Sequence, residues 1–93
     1  MDLGLKDKHA FVGGGGRGIG KAIALELARE GADVVIASRT LSELEKSAKE
    51  IEDITGRRII PMALDVTSRE QVDRVIAEAA SQLGGLDILV NSA

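Results

Sequence analysis

The sequence predicts an α/β fold on a parallel sheet, with elements in the order β-α-β-α-β-α-β. Three observations predict it. Short apolar runs rich in β-branched residues, such as Val34-Val35-Ile36 and Ile88-Leu89-Val90, show little alternation, the pattern of strands covered on both faces. Between these runs lie stretches whose apolar residues recur at three and four positions, as on one face of a helix. The changes from one pattern to the other fall mostly at glycines or at a Thr or Ser suited to opening a helix. Strands alternating with helices of this length require right-handed crossovers and a parallel sheet.

The chain has 93 residues, the size of one small domain or part of one, with a single core. Its hydrophobic content of 44% and charged content of 29% are those of a globular protein. Phe11 is its one aromatic residue, so Val, Ile, Leu and Ala must build the core. The net charge is −3, and no basic tract interleaved with aromatics occurs, which argues against nucleic acid as a partner. The absence of cysteine excludes disulfides and thiolate metal sites, and His9 is the only histidine. The first seven residues lack the apolar run of a signal peptide, and no apolar stretch has the length of a membrane span. The expectation is a soluble, cytoplasmic protein without membrane partners.

The first strand is expected over residues 8–12, with His9 near its amino end. Residues 19–30 read as a helix whose core stripe is Ile19, Ile23 and Leu27, with Ala22 and Ala28 beside it and Gly31 closing it. Residues 33–37 form the second strand. Thr40 and Glu43 have the spacing of a capping box. The helix they open is expected to bury Leu41, Leu44, Ala48 and Ile51, with Ile54 or Thr55 continuing the stripe. Its charged face reads as solvation, and Gly56 ends it. Residues 58–64 form the third strand, placed at a sheet edge by Pro61, which has no N–H to donate. Thr67 and Glu70 make a second capping box, before a helix with Val72, Val75, Ile76, Ala79, Ala80 and Leu83 on its apolar stripe. Gly84-Gly85 stops that helix, and residues 87–91 form the fourth strand.

The chemistry centres on Val12-Gly13-Gly14-Gly15-Gly16-Arg17-Gly18-Ile19-Gly20, where six of nine residues are glycine. A run of glycines matches many patterns, but this one follows a strand and opens a helix. In that setting, glycines let the backbone approach a pyrophosphate closely, and the helix N-terminus favours the negative charge. The end of the second strand, Ala37-Ser38-Arg39, lies where a dinucleotide fold reads the adenosine ribose, and Arg39 is 19 residues after Gly20. An acid there would hold a 2′-hydroxyl, but residues 37–40 contain none. Ser38 leaves room, and Arg39 presents a forked cation suited to a 2′-phosphate, with Arg17 as a second positive charge. NADP(H) is therefore expected over NAD(H). Asp65-Val66 ends the third strand, where the carboxylate could meet an adenine amino group or start the next helix. Asn91 ends the fourth. Strand carboxyl ends line the ligand crevice of an open parallel sheet, so Gly14, Arg39, Asp65 and Asn91 should share one edge.

These motifs resemble the N-terminal part of a short-chain dehydrogenase/reductase of the 3-oxoacyl-carrier-protein-reductase-like group. The resemblance runs from about Leu5 to the last residue. The family's Thr-Gly-x-x-x-Gly-x-Gly turn is met by residues 13–20 at every position but the first, its Asp by Asp65, and its Asn-Asn-Ala-Gly by Asn91-Ser92-Ala93. The resemblance implies a Rossmann-like sheet in the order 3-2-1-4, half of a doubly wound fold. It further implies that Gly14, Gly18, Ile19, Arg39, Asp65 and Asn91 contact the cofactor, and the residue reading adds Gly16, Arg17, Ser38 and Val66 to the expected cofactor-binding set. Gly13 replaces the family's threonine, which predicts a looser turn, and Ser92 replaces an asparagine that supports the central strand.

The resemblance places the family's proton transfer on a Tyr-x-x-x-Lys pair downstream of this segment. The sequence has no tyrosine, so no catalytic residue is assigned and the chain alone is expected to be inactive. Two readings follow. One is the NADP(H)-binding portion of an oxidoreductase acting on a carbonyl or alcohol. The other is a stand-alone half-fold with a structural or oligomerising role. In either, the fourth strand would be an apolar edge without Lys or Pro, which predicts a homo-oligomer formed through it.

Overall fold

The computed structural model describes residues 4–65 and 67–92. The elements are β1 (His9–Gly13), α1 (Gly18–Arg29), β2 (Asp33–Ser38), α2 (Leu41–Thr55), β3 (Ile59–Ala63), α3 (Arg69–Leu83) and β4 (Ile88–Asn91). Each matches an element expected from the sequence to within two residues at either end. All three strand pairings are parallel, and the sheet order is β3-β2-β1-β4. This is the Rossmann-like α/β arrangement, with Pro61 in an outer strand, where its missing donor costs no central ladder bond.

Strand alternation sends neighbouring residues to opposite faces, and each face has its own core. On one side Ala10, Val12, Val34 and Ile36 pack beneath Ala24 and Ala28 of α1 and Leu44, Ala48 and Ile51 of α2. On the other, Phe11, Val35 and Ala37 pack with Leu64 beneath Ala79 and Leu83 of α3. Lys21 of α1 donates to the Glu50 carboxylate of α2, tying the two helices of the first layer. The amino edge of the sheet is closed by polar ties. Asp33 Oδ1 accepts from Arg57 Nε and from the Arg58 amide, both at 3.1 Å. The His9 amide donates to Asp87 Oδ2 at 2.9 Å.

Three local expectations are corrected. On α1 the fully buried residues are Gly20, Ala24 and the expected Ala28, while Ile23 and Leu27 are only partly buried against the same core and Ile19 is outside it. Small residues let the helix lie close to the sheet, so the large ones ride on its flank, and Ile19 is 76% exposed. On α2, Leu41 and Ile54 are exposed, and Ser47 joins Leu44, Ala48 and Ile51 on the buried face. Neither capping box forms as expected. Thr40 is the N-cap of α2 but makes no side-chain cap bond, and Ser68, not Thr67, caps α3 by accepting from the Gln71 amide at 3.3 Å.

The first turn of α1 lies against the glycine turn with no space between them. A Cβ at Gly20 would sit 1.9 Å from the Gly14 carbonyl oxygen and 2.5 Å from Ser92 Oγ. At Gly15 it would sit 2.7 Å from Ile36 Cβ. Gly13 differs: its nearest neighbour would be the Val90 carbonyl oxygen at 3.6 Å, an ordinary contact. Gly20→Ala should therefore lower stability by about 3 kcal/mol or more, through backbone overlap that cannot relax cheaply. Gly13→Ala should raise it by about 0.4–1 kcal/mol by restricting the unfolded chain. Urea midpoints of the two variants check this pair, and a Gly20→Ala midpoint equal to wild type would refute the close contact.

Candidate functional site

The glycine turn leaves β1 at the carboxyl edge of the sheet and is tied down by backbone and hydroxyl groups. The Gly14 amide donates to the Ala37 carbonyl of β2 at 2.6 Å. The Gly13 carbonyl accepts from both the amide and the hydroxyl of Ser92, each at 2.9 Å. Ser92 thus supplies a tie between β4 and the turn, although it replaces the family's asparagine. From beneath, the buried Ser47 hydroxyl donates to the Gly16 carbonyl at 2.6 Å. Leaving that carbonyl unpaired would cost about 1–3 kcal/mol.

Above the turn lies a groove of about 590 Å³, within the size range of small-molecule sites. Its walls are Gly14, Arg17 and Gly18 from the turn, Ser38, Arg39 and Thr40 from the end of β2, Glu43 of α2, and Ser92. The N-terminus of α1, which begins at Gly18, opens on it. No acidic residue of α1 occupies its first turn, so the positive end of that helix is left for an external anion. The two arginines differ. Arg17 is 87% exposed and its Nε lies 3.6 Å from Glu43 Oε1. Arg39 has no ion pair among the described residues, and its charge reaches Asp65 across a second recess.

That second recess, about 240 Å³, is lined by Arg39, Ala63, Leu64, Asp65 and Gln71. Asp65 Oδ1 accepts from the Thr67 hydroxyl at 2.7 Å and the Thr67 amide at 2.9 Å. The hydroxyl bond, then the amide bond, then the charge of Arg39 hold the Asp65 carboxyl below its ordinary range. Asp65 therefore shapes the entry to α3 while one side of its recess stays open. Gln71 takes part as well, accepting from the Asp65 amide at 3.1 Å.

Gly14, Arg17, Gly18, Ser38 and Arg39 thus meet in one groove, and Asp65 stands beside it across Arg39. Gly16 lies buried beneath, its carbonyl turned toward α2. Ile19 faces away, onto an apolar recess along the flank of α1. Asn91 ends β4 opposite Gly13 and lines a recess on the α3 side of the sheet. Val66 lies outside the described residues. Thr40, Glu43 and Ser92 line the groove without having been expected there. Ser47 was also missed. Its signal was its place between Leu44 and Ile51 at helical spacing, a lone hydroxyl on an apolar stripe.

The fold and the groove define a parallel α/β protein with a glycine turn at the carboxyl edge of its sheet. A profile of the short chain dehydrogenase family matches residues 8–93, and the chain belongs to that family. It is 45% identical over 89 residues to the peroxisomal 2,4-dienoyl-CoA reductase of Danio rerio, covering 96% of this chain and 30% of that protein. It is 42% identical over 90 residues to hydroxysteroid dehydrogenase-like protein 2 of Pongo abelii, covering 89% of this chain and 21% of that one. The crystal structure of L-sorbose reductase from Gluconobacter frateurii, complexed with NADPH and L-sorbose, superposes with a TM-score of 0.94 at 41% identity. That match covers 100% of this chain and 35% of the reductase. The chain therefore spans about a third or less of these relatives. No helix among the described residues is long and apolar enough to cross a membrane.

The Asp65 contacts carry a pH signature. A carboxyl with a depressed folded-state pKa contributes stability above its ordinary value of 3.8 and loses it as the pH falls through the depressed value. Asp65→Ala should therefore lower the urea midpoint at neutral pH. The gap to wild type should narrow as the pH drops below 3.8. A gap that stays constant across an acid titration would mean that the Thr67 contacts do not favour the charged carboxylate.

Proposed function

We propose that residues 1–93 form a dinucleotide-binding domain, the NADP(H)-holding portion of an oxidoreductase acting on a carbonyl or alcohol. One observation carries the reading: the glycine turn and the N-terminus of α1 share a groove with Ser38 and Arg39, and no acid stands at the end of β2. A cofactor pyrophosphate would lie on Gly14, Gly18 and the main chain of Ile19 at the start of α1, with Gly16 buried beneath them. A 2′-phosphate would meet Arg39 and Arg17, with Ser38 leaving it space. The adenine would fall toward Asp65 and Val66, and the nicotinamide side toward Asn91. The residues fit such a group physically, because the turn has no side chain where a phosphate needs backbone donors. The NADPH bound in L-sorbose reductase, the structure with a TM-score of 0.94, supports the choice of cofactor. Bound nicotinamide would supply hydride transfer. The 93 residues contain no tyrosine, so this chain's own part is to bind and orient the cofactor rather than to move the substrate proton.

A titration calorimetry experiment with NADPH, 2′,5′-ADP and 5′-AMP tests the reading. NADPH and 2′,5′-ADP should bind. Arg39→Gln should weaken 2′,5′-ADP about tenfold, ~1.4 kcal/mol, and leave 5′-AMP within about twofold. Absence of binding at millimolar ligand would remove the cofactor role from this chain.

We also infer self-association through β4. It is an outer strand whose Leu89 is 62% exposed, and a recess of about 250 Å³ lined by Phe11, Val72 and Ile76 lies beside it. An apolar edge without a blunting charge is a template for pairing with a second copy. Sedimentation at tens of micromolar should show a dimer or larger species, reduced to monomer by Leu89→Lys. A monomeric wild type would favour the reading without an oligomer.

A further inference from the structure

The two arginines of the groove are not equivalent, and the difference lies in Glu43. This residue was expected to face solvent or to close a capping box with Thr40. Instead Thr40 makes no side-chain cap bond, and Glu43 lines the groove. Its Oε1 lies 3.6 Å from Arg17 Nε. The same oxygen would be 3.5 Å from a Cβ placed on Gly16, and Ser38 Oγ would lie 3.4 Å from that point. The carboxylate thus stands at the meeting of the glycine turn and the end of β2. It is the only acidic side chain among the groove's walls, which otherwise carry two cations and a helix N-terminus.

We propose that Glu43 is a specificity-determining residue, an internal counter-ion that holds Arg17 and weakens the groove's preference for a phosphorylated ribose. The inference rests on the cofactor reading above. A 2′-phosphate entering the groove must draw Arg17 from Glu43 and then share the site with a carboxylate of its own sign. Arg39 makes no ion pair among the described residues and meets Asp65 only across the second recess, as the last of the causes that hold that carboxyl down, so it bears most of the phosphate recognition and Arg17 contributes only what Glu43 releases. Because Arg17 is largely in water, the competition is screened, and its effect on affinity is a matter of several-fold rather than orders of magnitude.

The test is the affinity of wild type and Glu43→Gln for NADPH and for NADH, which differ only in the 2′-phosphate. Glutamine keeps the length of the side chain and the helix that carries it. Glu43→Gln should tighten NADPH by about three- to tenfold at low salt and change NADH by less than about twofold, with the NADPH gain shrinking at high ionic strength. In an Arg17→Gln background the same substitution should yield less than half that gain. An unchanged or weakened NADPH affinity overturns the inference while leaving the cofactor reading in place. So does an equal gain in both backgrounds, since Glu43 would then act through its general field and not through Arg17. Binding of neither dinucleotide by any variant overturns the cofactor reading, and this inference with it.

Discussion

The constraint on which the rest of the structure depends is the contact between the first turn of α1 and the carbonyl of Gly14. With room for no atom at Gly20 beyond hydrogen, the helix starts directly on the turn that precedes it. That position sets where the N-terminus of α1 points, and so where an anion is favoured. It also sets how the helix crosses the sheet. A helix this close must present Gly20, Ala24 and Ala28 inward, and its leucines and isoleucines go to the flanks. The apolar recess along Leu5, Ile19 and Ile23 is a consequence of the same contact that builds the glycine-turn end of the groove.

The two edges of the sheet are treated differently. At the amino edge, Asp33 is saturated by Arg57 and the Arg58 amide, Asp7 adds a second carboxylate to Arg57, and Asp87 receives the His9 amide. Charges there are consumed within the protein. At the carboxyl edge a glycine turn, a helix N-terminus and Arg39 line an open groove. Parallel strands impose this separation, since every loop at the carboxyl edge leads from a strand to a helix start. Glu43 and Asp65 are the exceptions, carboxylates at the edge where positive groups collect, and of the two only Glu43 lines the groove itself.

The order of elements, the parallel sheet and the place of Pro61 were legible because they depend on pattern. Unbroken β-branched runs and helical spacing survive almost any detail of packing. The groove's cationic residues were legible for a similar reason: their chain positions follow from strand ends. The failures share another cause. Ile19, Leu41 and Ile54 have the right period but the wrong phase, because hydrophobicity alone does not report how close a helix can come to a sheet. Glycine and alanine decided that on α1, and a scale that rewards bulk overlooks them. Glu43 was read from local capping grammar, whereas its position is set by Arg17, 26 residues earlier in the chain. Ser47 follows the same rule, its purpose being visible only once the Gly16 carbonyl lies beneath it. Long-range polar pairs leave no periodic trace.

A turn with six glycines in nine residues should be a poor place to build a binding site, because glycine loses the most backbone freedom on ordering. Affinity would be spent on ordering the loop unless the loop is already held. Here the holding groups come from three separate elements. Ala37 of β2 accepts the Gly14 amide, Ser92 after β4 donates twice to Gly13, and Ser47 of α2 donates to Gly16. None of these groups needs to touch a ligand to matter. Each restrains a peptide plane of the turn. The family's threonine is absent at Gly13, and the ties from Ser92 converge on the Gly13 carbonyl. The order that a side chain supplies locally in the family's pattern is supplied here from Ser92, distant in sequence, so the glycine-turn end of the groove is only as well formed as the pairing of β1 with β4.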